Sequence, residues 1–85
     1  MNGTIVATLY QGDAELGDYS LPADITIEEL CFRLLSVLAR EHKRRFEGWK
    51  ALGLTMNDYR LSESTATLKD YGIASGNRLM VIRTE

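Results

Sequence analysis

The chain has a single cysteine, Cys31, among its 85 residues. No intrachain disulfide can form, which argues against a bridge-stapled secreted scaffold and for a reducing compartment. Cys31 lies in an apolar stretch with nothing nearby in sequence to lower its pKa, so it reads as a small buried hydrophobe and not as a nucleophile. There is also a single histidine, His42. A metal centre needs several donors at ligand spacing, and His42 has no such partners around it. It reads as a solvated residue. The seven glycines are scattered and form no phosphate-cradling loop. Glu28 and Glu29 are a first-turn acidic pair, not an acid/base couple. The expectation is no catalytic residue, no cofactor and no metal: not an enzyme. A net charge of −2 provides no general attraction to nucleic acid or to anionic membranes. No apolar run approaches the roughly 20 residues that span a bilayer. Met1-Asn2-Gly3-Thr4 has neither the cationic nor the long apolar region of a signal peptide. A cytoplasmic location without membrane insertion is expected.

What is present is one domain's worth of core-forming sequence, predicted to span residues 1–85. Thr4 to Tyr10 is β-branched and apolar, with Ile5, Ala7 and Leu9 on one face and Val6, Thr8 and Tyr10 on the other. Gln11-Gly12-Asp13 is a turn. Residues 14–21 read as a returning strand, with Tyr19 and Leu21 on one face, that stops at Pro22. Thr26 followed by Glu29 has capping-box spacing, and Ile25 with Leu30 forms a hydrophobic staple. Ile27, Leu30, Leu34, Val37 and Leu38 then recur at helical steps, which predicts a long helix with one face in the core. Arg40, Lys43, Arg44 and Arg45 gather at its end, and Gly48 is the expected stop.

Cys31, Phe32 and Leu35 extend the apolar stripe onto a second helix face. That face is either a wide stripe under a curved sheet or a contact surface for a partner or a second copy of the chain. Residues 49–54 predict a third strand with two open registers. Trp49 and Ala51 point inward in one, Leu52 and Leu54 in the other. Asn57-Asp58 is a turn signal, and Tyr59 to Leu61 reads as a very short strand. Leu68, Tyr71 and Ile73 lie on a short turn that can plug a core edge. Arg78 to Ile82 is the final strand, with Leu79 and Val81 inward and Met80 and Ile82 outward. The order is an α+β pattern: a mixed four- or five-stranded sheet packed on one long helix, with the last strand set parallel to the first as in a β-grasp.

Thr67-Leu68-x-Asp70-Tyr71-x-Ile73 before an apolar strand resembles the matching part of ubiquitin. Asp24-x-Thr26-Ile27-Glu28-x-Leu30 resembles ubiquitin's helix entry. A narrower resemblance rests on Leu21-Pro22-Ala23-x-Ile25-x-Ile27-x-x-Leu30 and Asp70-Tyr71-x-Ile73-Ala74-x-Gly76-x-x-Leu79, with Trp49. These stretches look like the YukD/EsaB family, the small ubiquitin-like accessory proteins of bacterial type VII secretion systems. The basic stretch from Arg40 to Glu47 departs from that pattern. The resemblance implies a ubiquitin-like fold and a docking or regulatory role with cytosolic domains of the secretion membrane machinery. A covalent modifier or sulfur carrier is the contrasting class. It needs a flexible tail ending in Gly-Gly, and after Gly76 the sequence has no glycine and reads Arg83-Thr84-Glu85. A ubiquitin-like adaptor in an unrelated assembly is the third reading. For a binding module, two surfaces are candidates: the sheet face carrying Val6, Thr8, Tyr10, Met80 and Ile82, which corresponds to ubiquitin's apolar recognition face, and the helix face carrying Phe32 and Leu35.

Overall fold

A computed structural model describes residues 3–85. In chain order the elements are β1 (Thr4–Gln11), β2 (Ala14–Pro22), α1 (Ile27–Glu41), β3 (Leu52–Met56), β4 (Tyr59–Arg60) and β5 (Arg78–Arg83). The sheet order is β2-β1-β5-β3-β4. β5 runs parallel to β1, with Tyr10 opposite Met80, and antiparallel to β3, with Thr55 opposite Met80. The sheet therefore has five strands and is mixed, as the element order implied.

β1 and β2 form a hairpin whose register slips once. Leu9 stands opposite Gly17 and Tyr10 opposite Glu15, which leaves Leu16 as the extra residue of a bulge. Gly17 takes φ 129°, a conformation that L side chains rarely adopt. The bulge resets the alternation of β2. Leu16 is buried together with Leu21 although the two have opposite parity, which simple alternation from Tyr19 and Leu21 does not foresee.

The start of α1 is held from two sides. The Thr26 hydroxyl accepts from the Glu29 amide at 3.1 Å, as the cap spacing predicted. The return half of a capping box is not formed, because the Glu29 carboxylate accepts from Arg33 one turn on, at 2.8 Å. The other first-turn amides find partners in the polar loop 62–66. Ile27 N–H donates to the Ala66 carbonyl at 2.7 Å and Glu28 N–H to that of Ser64 at 3.1 Å. That loop is therefore part of the helix cap. Ile27, Leu30, Leu34 and Leu38 are buried along one stripe.

The helix stops at Glu41, not at Gly48. His42 caps it, its N–H bonded to the Leu38 carbonyl, and the next turn closes on itself as Arg45 and Phe46 donate to the His42 carbonyl. In a continued helix Phe46 would lie about 80° round from Leu38. By leaving the helix, the chain turns Phe46 into the core, where it is almost wholly buried and meets the edge of Trp49 with ring centres 4.7 Å apart. The third strand is correspondingly late: β3 begins at Leu52, and Trp49 precedes it, half-buried. Leu52 and Leu54 are the inward pair, which selects one of the two registers left open by the sequence.

β3 and β4 are joined by Asn57 and Asp58, both in the left-handed region (φ 53° and 66°), the geometry of a two-residue hairpin turn. The turn after the loop is closed by Thr67 and Asp70, each side chain accepting from the other's amide at 3.0 and 3.1 Å. This places Leu68 and Ile73 in the core. The Tyr71 hydroxyl accepts from the Glu63 amide at 2.9 Å.

Candidate recognition surfaces

The outward face of the sheet carries all five residues assigned to it, but the structure divides them. Met80 pairs across with Tyr10 on one side and Thr55 on the other, and Ile82 follows two residues on, opposite Gly53. A Cβ at Gly53 would meet Thr84 and Ile82 side-chain atoms at 2.7 and 3.3 Å, so Ile82 lies down over the bare backbone of β3. Tyr10, Met80 and Ile82 are thus one contiguous group. Beside them, Tyr10, Thr55, Met80 and the Asn57-Asp58 turn line a shallow groove of about 270 Å³.

Val6 belongs to a different patch. Thr8 pairs with Arg78 and Tyr10 with Met80, so Val6 sits four residues back along β1 from the row that holds Met80, roughly 13 Å away. Its amide donates to the Ser75 hydroxyl at 3.0 Å and its carbonyl accepts from Gly76, while its side chain stays 45% exposed. The Thr8 hydroxyl donates to Asp18 at 2.6 Å. The Arg78 guanidinium stands 5.8 Å from the centre of the Tyr10 ring. Polar pairs therefore lie between Val6 and Met80, and Met80 itself is 39% exposed.

The helix face is the second surface. Phe32 is 73% exposed, the most open large hydrophobe among the described residues, and Leu35 is half-buried one turn on. Both border a groove of about 260 Å³ between α1 and β3–β4, with Cys31 and Leu52 in its lining and Lys50 and Arg60 beside it. Cys31 is buried, and burial pushes its thiol up to about 11, with Arg60 pulling slightly the other way. Burial thus disfavours the thiolate, and Cys31 forms an apolar part of the groove wall.

Three features had no sequence signal strong enough to find them. Phe46 follows four cations in six residues and looks like part of a solvated run, yet it is core. The pairing of α1 with Arg60 and Lys50 depends on the crossover of the chain. His42, expected to be a solvated residue, is half-buried at the helix end with its Nε2 3.3 Å from the Tyr19 hydroxyl. That hydroxyl donates to Glu41 at 2.7 Å. Burial first, and the Glu41 carboxylate second, raise Tyr19 to about 12. Of the basic stretch, Arg45 reaches the Gln11 side chain at 3.2 Å, while Arg40, Lys43 and Arg44 are exposed. Among the described residues no cluster of three or more His, Cys, Asp or Glu side chains could hold a metal ion, and no helix is long and apolar enough to cross a membrane.

No protein-family model and no curated protein sequence matches the chain. Solved structures do. The ubiquitin-like domain of the Mycobacterium tuberculosis type VII secretion system protein EccD1 superposes with TM-score 0.76 at 18% identity, over 93% of this chain and 97% of that one. The EccD5 ubiquitin-like domain from Mycobacterium xenopi gives TM-score 0.77 at 19% identity, over 96% of both chains. The fold is the ubiquitin-like β-grasp. A chain of the ESX-5 inner membrane complex contains the same β-grasp, with TM-score 0.76 and 19% identity, over 96% of this chain and 21% of that one. At these identities the likeness concerns the fold.

Proposed function

We propose that this β-grasp chain is a non-catalytic docking module of a bacterial type VII secretion system, acting in the cytoplasm on protein partners in the membrane machinery. The carrying observation is the contiguous outward group Tyr10, Met80 and Ile82, an apolar patch on the sheet face that the helix leaves uncovered. Two further facts support the reading. The sequence motifs around Leu21–Leu30 and Asp70–Leu79 resemble the YukD/EsaB accessory proteins. The β-grasp superposes over nearly its whole length on domains from type VII secretion proteins, one of them within an inner membrane complex. Recognition through this face requires only apolar burial with polar groups at the rim. Thr55, Arg78 and the Asn57-Asp58 turn supply that rim.

The test is capture of secretion components from detergent-solubilised membranes by the tagged chain, identified by mass spectrometry. Wild type is expected to retain a component of the secretion membrane complex. Met80→Asp is expected to lose it while keeping the dispersed amide spectrum of a folded protein. Full retention by a folded Met80→Asp variant would overturn the assignment of the face, and a wild-type chain that captures no secretion component would overturn the assignment of the system.

A further inference from the structure

The sheet has an unfinished edge beside the helix groove. β4 pairs with β3 only at Thr55 and Met56, and beyond that the Leu61 amide bonds the Leu54 carbonyl at 2.9 Å. On the opposite edge the Ala51 carbonyl accepts from Thr84, where β3 runs beside β5. Alternation along the strand therefore turns the Leu52 N–H and C=O the same way as those of Leu54, toward the β4 side. Among the described residues no strand lies along that side at Leu52. The vacancy opens onto the groove whose walls are Phe32, Leu35 and Cys31 of α1.

The charges at the two ends of this edge have the same sign. Lys50 stands just before β3, and Arg60 stands opposite Thr55 at the end of the pairing with β4. Both are exposed, both line the groove, and neither side chain has an ion-pair partner among the described residues. The open stretch of edge runs from Lys50 to Leu54, where Leu61 takes up the β4 side, about 13 Å of extended chain. Two carboxylates oppose these cations: Glu28 across the groove on α1, and Glu85, which accepts from the Lys50 amide at 2.8 Å.

From this edge, groove and charge pattern we propose that the chain binds an extended peptide segment of another protein, added as a strand along Leu52. The segment carries apolar side chains into the groove against Phe32 and Leu35. It also carries acidic residues about four positions apart that meet Lys50 and Arg60. Backbone hydrogen bonds to Leu52 supply register. The apolar wall selects the side chains that face α1. Lys50 and Arg60 reject basic flanks, and Glu28 keeps carboxylates on the strand side of the groove. This site is separate from the Tyr10–Met80–Ile82 face and does not depend on the secretion reading.

The probe is a capped synthetic peptide of about eight residues, alternating valine and threonine with aspartate near each end, titrated into the isotope-labelled chain. Amide shifts are expected at Phe32, Leu35, Leu52, Gly53 and Arg60, with the Leu52 amide newly protected from exchange, and Tyr10 and Met80 unmoved. The same peptide with lysine at both ends is expected to bind about tenfold more weakly, and the exposed-site double variant Lys50→Glu/Arg60→Glu is expected to reverse that preference. The Met80→Asp variant is expected to bind the peptide unchanged, which separates this site from the sheet face. Equal binding of the acidic and basic peptides, shifts confined to the outer sheet face, or no shift at millimolar peptide would each overturn the proposal. So would concentration-dependent self-association abolished by Phe32→Ser, because a second copy would then be the occupant.

Discussion

Leu79 and Met80 are adjacent on β5 and point to opposite sides of the sheet, which makes them a paired test of the register on which the sheet-face surface rests. Leu79 is 1% exposed and sits in the core beside Leu9 of β1. Truncation to alanine removes its buried methyl groups and leaves a closed cavity, so Leu79→Ala is expected to cost about 2–5 kcal/mol. Met80 has about three fifths of its surface covered. Full burial of such a side chain is worth about 1.5–3 kcal/mol, so the ceiling for Met80→Ala is about 1–2 kcal/mol. Water can fill the space left on an open face, which removes the cavity cost and brings the expectation to about 1 kcal/mol. Urea unfolding followed by Trp49 fluorescence reads both variants, since Trp49 is half-buried against Phe46 and changes environment on unfolding. For a domain of this size the difference should also appear as a melting point lowered by about 10–30 °C for Leu79→Ala, against under about 10 °C for Met80→Ala. A Met80→Ala cost equal to or above that of Leu79→Ala would refute the register, and with it the docking face.

Phe46→Ala should cost about 3–5 kcal/mol by urea unfolding, a core-sized penalty for a residue outside every regular element; a cost under about 1 kcal/mol would mean the turn after α1 is not anchored. Thr26→Ala removes the side-chain acceptor for the Glu29 amide and should cost about 1 kcal/mol in the same assay, with Thr26→Ser near wild type. Stability should hold up to about pH 9 and then fall. Burial raises Cys31 from 9.0 to about 11, and burial with the Glu41 bond raises Tyr19 from 10.0 to about 12. The folded state thus favours both neutral forms, and this contribution is present below the unfolded values and lost as pH rises through the folded ones. Urea midpoints measured between about pH 8 and 11 check the sign. Alkylation of Cys31 near neutral pH should be slow in the native protein and fast in denaturant; equal rates would contradict its burial.

Helix entry, strand faces and the parallel closing strand were legible because they are local or follow from alternation. Thr26 with Glu29 announces a cap, the spacing from Ile27 to Leu38 announces a stripe, and Leu79 and Val81 announce an inward face. The misjudged places are those where a distant contact overrides local preference. The cations after Arg40 favour a longer helix end, but burying Phe46 outweighs another helical turn. Strand character at Trp49 is real in composition, yet Trp49 packs on Phe46 and β3 waits for Leu52. Leu16 is in the core only because Gly17 admits a bulge. The five residues of the candidate face all lie on the outward side of the sheet but fall into two groups, since the distance between Val6 and Met80 depends on which residue of β5 stands beside Tyr10.

By itself the sequence determined the kind of molecule: one cysteine, one histidine, a single amphipathic helix between strand runs, and motifs that resemble ubiquitin and the YukD/EsaB proteins. These follow from composition and from periods of two and three to four residues, which the backbone imposes without regard to the rest of the chain. Only the tertiary structure decided which apolar residues are surplus to the core. Tyr10, Met80 and Ile82 become a patch, and Phe32 becomes the wall of a groove, because β5 inserts between β1 and β3 and β4 ends after two residues. Burial is a property of packed neighbours, and those neighbours lie tens of residues away along the chain.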